Sequence, residues 1–155
     1  MKWILLCLSC LFAPTLVAAE LVVRFADESH KSVSLKTIES TLPLDSFTTH
    51  LPWLDGPHTF SGVKVTDLLD YLGVSDVASV SFVALNDYAS STQIKDILDY
   101  EPIIAYHLNG KKMKVRNKGP FWLVFNLDKH PEIDNQIYYT QMVWQIDEVL
   151  IHEAP

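Results

Sequence analysis

The chain of 155 residues contains two cysteines, and both, Cys7 and Cys10, fall within its first ten residues. The remainder has none, which excludes a cysteine nucleophile, a disulfide or a thiolate-bound metal from that part. Glycine is scarce at five residues, and neither a Gly-rich phosphate loop nor a G-x-S-x-G elbow occurs. Arginine is limited to Arg24 and Arg116. No apolar run reaches the roughly 20 residues that a transmembrane helix needs. Basic residues are outnumbered 12 to 19 by acidic ones, a formal net charge of −7, so general binding to nucleic acid or anionic membranes is not expected.

What is present at the start reads as an export signal. Lys2 supplies the positive charge, Trp3 to Phe12 the apolar core, and Val17-Ala18-Ala19 the small residues for cleavage before Glu20. Cys10 lies inside the apolar core rather than just after it, which argues against lipidation. The expected organisation is a signal peptide over 1–19 and one domain over 20–155. The product would be periplasmic or secreted, with no membrane span after cleavage. About 136 residues then remain, enough for one core.

Along that domain, Leu21 to Phe25 has the β-branched, apolar composition of a strand. Ser34 is placed to cap a short helix carrying Leu35, Ile38 and Leu42, ended by Pro43. Pro43 to Gly62, rich in Pro, Gly, Thr and His, predicts a long ordered loop. Thr66 would cap a second helix with Leu68, Leu69 and Leu72 on its buried stripe and Gly73 as its stop. Val77 to Leu85 predicts a strand with Val80, Phe82 and Ala84 on one face, turning at Asn86-Asp87 into Tyr88 to Ile94. A helical turn over Lys95 to Tyr100 follows. Pro102 to Leu108 and Lys111 to Arg116 flank Asn109-Gly110, a strong hairpin signal. Phe121 to Leu127 predicts another strand and Ile137 to His152 a long extended segment. The fold class is α+β, predominantly β with mixed sheets and two or three short helices.

Two segments concentrate chemistry. Lys111, Lys112, Lys114, Arg116 and Lys118 fall together, with no acid between Glu101 and Asp128. If that stretch is extended, Lys112, Lys114, Arg116 and Lys118 share one face. They would then hold an anionic group, or form the solvated face of an edge hairpin. The second segment, Trp53 to Phe60, puts Trp and His beside Gly and Pro. It could line a pocket with His58 as proton carrier or metal ligand, or simply pin the loop to the domain. The other histidines, His30, His50, His107, His130 and His152, form no H-x-H or H-E-x-x-H pattern.

Phe60-Ser61-Gly62-Val63-Lys64-Val65-Thr66-Asp67-Leu68-Leu69 resembles the F-x-G-V-x-L-x-D-L-L segment of the oxidoreductase molybdopterin-binding domain, the sulfite-oxidase-like fold. Ala84 to Tyr88 is similar to the same family. So are Ala105 to Gly110 with Lys118-Gly119-Pro120, and Tyr138-Tyr139 with Met142 to Ile146. The resemblance spans about Ser34 to Ile151 and matches the short exported members best.

The resemblance implies that catalytic relatives hold molybdenum through the pterin dithiolene and one protein cysteine. It also implies an arginine soon after Gly-x-Pro, where this sequence has Phe121-Trp122. The expected function is therefore an exported, non-catalytic module, with no cofactor, that binds a small anionic ligand or an envelope or membrane protein partner. The expected site comprises Trp53, His58, Asn86, Asp87, Tyr88, Arg116 and Lys118. The alternative is a molybdopterin-dependent oxidoreductase in which His58, Asp87 or no residue replaces the cysteine ligand. A structural or sensory accessory protein is a third reading.

Overall fold

Alternation builds the first sheet. Leu21 and Val23 on β1 (Glu20–Arg24), Val33 on β2 (His30–Ser34), and Val80, Phe82 and Ala84 on β5 (Val77–Ala84) are all buried. Val149 and Ile151 on β10 (Ile146–Glu153) join them. With β6 (Ala89–Gln93) the order is β2-β1-β10-β5-β6. The sheet is mixed, because β1 and β10 run parallel while the other pairs are antiparallel. The computed structural model describes residues 17–155, so the expected signal core with Cys7 and Cys10 lies outside the described residues.

The second sheet is antiparallel, with β3 (Asp45–His50), β4 (Pro57–Lys64), β7 (Ile103–Leu108) and β8 (Lys111–Lys112) in that order. β9 (Trp122–Val124) pairs with the first half of β7. Helices α1 (Leu35–Thr41), α2 (Val65–Leu72) and α3 (Ile94–Tyr100) connect strands, and α4 (Gln136–Tyr139) is a single turn. One core joins both sheets, with Phe60, Phe82, Phe121, Trp122 and Phe125 fully buried. Among the described residues, no helix is long and apolar enough to cross a membrane.

Several sequence expectations hold at atomic detail. Ser34 Oγ accepts the Thr37 N–H at 3.1 Å and caps α1. Gly73 stops α2 with φ of 67°, and Asn109-Gly110 turns the β7–β8 hairpin with φ of 51° and 78°.

Four expectations change. Pro43 to Gly62 is not a long loop: it contains the β3–β4 hairpin, registered from Asp45 opposite Gly62 to His50 opposite Pro57. Cross-strand hydroxyl pairs, Ser46 with Ser61 at 3.0 Å and Thr48 with Thr59 at 2.8 Å, reinforce it, and Pro57 stands at the strand start, where proline is tolerated. Thr66 does not cap α2. The helix begins at Val65, whose N–H donates to Pro102 O at 3.1 Å, so the neighbouring chain satisfies a donor that a cap would otherwise meet.

The strand expected through Arg116 ends at Lys112. Lys114 O accepts from both Asn117 N (2.8 Å) and Gly119 N (2.9 Å), curling the chain into a 3₁₀ turn at Val115–Asn117. The basic side chains therefore do not alternate along an extended face. Finally, Ile137 to His152 is not continuously extended. Asn135 Oδ1 accepts the Ile137 N–H at 3.0 Å and starts α4, and β10 begins only at Ile146.

Candidate binding cleft

An aromatic group at the junction of the two sheets forms the floor of a cleft. Trp122 is fully buried and its Nε1 donates to Met142 O at 3.1 Å. Phe60 meets it edge-on at 5.5 Å between centroids. Trp53, in the turn after β3, is at the centre of the cluster: its ring lies 5.3 Å from Trp144, 5.9 Å from Tyr139 and 6.0 Å from Trp122. Tilted and edge-to-face pairs of this kind are the favourable aromatic geometries.

Above this floor opens a cleft of about 340 Å³. Ala84, Asn86 and Tyr88 of the β5–β6 turn form one wall, and Gln136, Tyr139 and Thr140 of the α4 segment the other. Met142, Val143 and Trp144 complete it with Trp53. The walls are tied together, since Tyr88 OH donates to Thr140 O at 2.7 Å. Asn86 Oδ1 accepts the Tyr88 N–H at 3.2 Å, which fixes the turn. Tyr139 OH donates to Asp134 Oδ1, and that acidic acceptor raises the pKa of the phenol. The lining is thus aromatic and amide-bearing, without a formal charge.

Lys118 adjoins the cleft through Trp144. Its Nζ stands 3.7 Å from the centroid of Trp144 and 5.6 Å from that of Trp122, a cation–π arrangement. Burial pushes its ammonium below the usual lysine range, and it makes no ion pair among the described residues. Gln145 links this region to the cleft wall. In a left-handed conformation, φ 54°, it donates its N–H to Lys118 O (3.0 Å) and its Nε2–H to Val115 O (2.6 Å). Its own carbonyl accepts from Leu85 N at 2.9 Å.

Of the residues expected from sequence, Trp53, Asn86 and Tyr88 line one cleft, and Lys118 adjoins it through Trp144. Asp87 belongs to the same turn, at φ 66°, but does not line the cleft. Arg116 is exposed on the 3₁₀ turn. His58 is engaged elsewhere. Thr59 N donates to Asn109 Oδ1 (3.0 Å), which orients that amide so that Nδ2 donates to His58 Nδ1 (2.9 Å). His58 Nε2–H then donates to Asp55 O at 3.0 Å. Both ring nitrogens are used, so His58 pins a hairpin tip to a loop.

The sequence reading missed Gln136, Tyr139, Thr140, Met142 and Trp144, because it placed most of them in one extended segment. The available signal was Asn135, a strong N-cap type just before Gln136.

The model of the oxidoreductase molybdopterin-binding domain matches residues 22–126. The chain belongs to this family. Its fold is similar to that of the sulfane dehydrogenase SoxCD from Paracoccus pantotrophus, with a TM-score of 0.66 at 15% identity. The match covers 88% of this chain and 38% of that one, so the chain spans little more than a third of the solved relative. No curated protein matches.

Within the molybdopterin-binding family frame, the signature positions are scaffold. Phe60, Val63, Val65 and Leu68 are buried. A Cβ on Gly62 would stand 2.0 Å from Ile104 O, and one on Gly119 2.1 Å from Met113 O. The cleft offers molybdenum no thiolate: residues 17–155 have no cysteine, the lining's one sulfur is the Met142 thioether, it has no imidazole or carboxylate, and no three His, Asp or Glu converge among the described residues.

Proposed function

We propose that this chain is an exported, non-catalytic binding module on the molybdopterin-binding oxidoreductase fold, and that the Trp53–Trp144 cleft is its binding site. The observation that carries the reading is the cleft's donor set. It offers ring faces, the Asn86 and Gln136 amides, hydroxyls and the Met142 thioether, but no thiolate, imidazole or carboxylate. Such a set of groups orients a ligand by stacking and hydrogen bonding. The cleft's volume lies at the small end of the roughly 300–1,000 Å³ range of ligand pockets. Lys118, the adjoining cation, favours a ligand or partner group that carries negative charge.

The test is metal and pterin analysis of protein purified from cofactor-competent cells, followed by Trp emission during titration with small planar anions. We expect background molybdenum, no pterin fluorescence and an emission change abolished by Trp53→Ala. Stoichiometric molybdenum with pterin would overturn the reading in favour of a redox enzyme.

A further inference from the structure

The exposed apolar residues are not scattered at random. Seven large apolar side chains are exposed among the described residues; Leu85 (50%), Tyr88 (47%) and Ile137 (71%) lie on the two segments that wall the cleft, and Val115 (50%) on the turn that Gln145 ties to them. Leu85 and Tyr88 flank the Asn86 turn, and Ile137 is on the α4 turn that supplies Gln136 and Tyr139. Val115 is joined to the cleft wall through Gln145. Isolated exposed apolar residues are ordinary, but a group around a concave aromatic site marks a contact surface.

Beside the cleft, the 111–118 segment carries the chain's concentration of positive charge, and its Lys118 lies over Trp144 of the lining. Residues 111–118 hold five of the chain's 12 basic residues, in a protein of formal net charge −7. Lys112 is paired with Glu39 at 3.4 Å, whereas Lys114, Arg116 and Lys118 form no ion pair among the described residues. Lys114 and Arg116 are exposed on either side of Val115. Met113, 7% exposed, anchors the loop from beneath, and Gln145 fixes it from the side. The charges are therefore displayed on a braced turn, which lowers the ordering cost of using them.

We infer that the cleft mouth and the 114–118 turn form one docking surface for a partner protein, which presents an acidic segment bearing a single large apolar side chain. The acidic groups meet Lys114 and Arg116, and the apolar side chain enters the cleft against Trp53 and Trp144. This inference rests on the reading of the cleft as a binding site and adds the chemistry of its occupant. Charge complementarity selects it: the local basic patch attracts an acidic segment, while the overall negative charge opposes an extended anionic surface such as a membrane.

The experiment titrates the full chain with synthetic peptides of alternating Glu and Asp around one central Phe, read by calorimetry and by the chain's Trp emission. Controls replace the acids by Gln and Asn, or the Phe by Ser. We expect the acidic Phe peptide to bind, to weaken several-fold as salt is raised, and to lose at least tenfold in affinity with K114E/R116E or with the Ser control. Equal binding of the uncharged peptide overturns the electrostatic part, and no binding of any acidic peptide overturns the whole. Self-association of the chain that K114E/R116E abolishes, or binding to phosphatidylglycerol vesicles without peptide binding, also overturns it in favour of those occupants. A chain that ignores the peptides but still answers small anions by Trp emission ends this inference and leaves the binding-module reading standing. Molybdenum with pterin ends that reading and leaves the peptide isotherm to be judged by itself.

Discussion

Around Gly62 the chain approaches β7 so closely that a single methyl group has no space, whereas beside Trp53 the packed rings leave an open cleft of about 340 Å³. The first region carries the residues by which the family is recognised; the second carries groups that a ligand could touch. Packing constraints act through every neighbour and leave a short, readable pattern of glycine and apolar residues. A binding surface built from separate loops imposes no such spacing, and its residues come from 53, 84–88 and 136–144.

That contrast can be broken in order of size. Gly62→Ala forces Cβ against the Ile104 carbonyl, and the β4–β7 pairing must move to relieve it. We expect a loss above ~4 kcal/mol, or no folded protein, in urea unfolding. Trp53→Ala removes the half-buried hub of the aromatic cluster and should cost ~1.5–2.5 kcal/mol by the same measurement, below the ~3–5 kcal/mol of a fully buried Trp. A loss as large as that of Gly62→Ala would mean that the cleft is scaffold after all. Asn86→Ala, on an exposed turn, should change stability by no more than about 0.5 kcal/mol in urea unfolding while weakening ligand binding in an emission titration. Unchanged binding would remove Asn86 from the site.

The smallest effect concerns pH. Burial, with Glu148 and Asp87 nearby, raises the pKa of Asp147. A carboxyl whose folded pKa is raised penalises the folded state above that pKa, and the penalty is lifted as pH falls through it. Asp147→Asn should therefore raise Tm at neutral pH, with the advantage shrinking as acid protonates the wild-type carboxyl. A gain that did not change with pH would assign the effect to packing instead.

Much of the scaffold was legible because its rules are local. Ser34, Gly73 and Asn109-Gly110 act within a few residues of themselves, and Val80, Phe82 and Ala84 announce a strand by alternation. The β3–β4 hairpin was hidden because its Thr, Ser and His residues resemble loop composition, and its stability comes from pairing across sequence. The curl after Lys112 was hidden for a related reason: it is set by the Lys114 carbonyl taking two donors, which residue type alone does not dictate. Trp53, Asn86 and Tyr88 were readable as candidates because large or amide side chains beside turn signals stand out. The opposite wall was lost with the misreading of Ile137 to His152. For His58 the sequence left two roles open, and its two ring nitrogens are spent on the second, holding a loop.

Gln145 bonds to Lys118, Val115 and Leu85 from one residue next to Trp144. Any occupant that displaces Trp144 must therefore strain the turn bearing Arg116 and the turn bearing Asn86 together. A cleft ligand that moves Trp144 would then be thermodynamically linked to a ligand on the basic turn. By reciprocity each would change the other's affinity by the same factor, and Gln145→Ala, which removes only the side-chain bond, would reduce that factor without touching either contact surface.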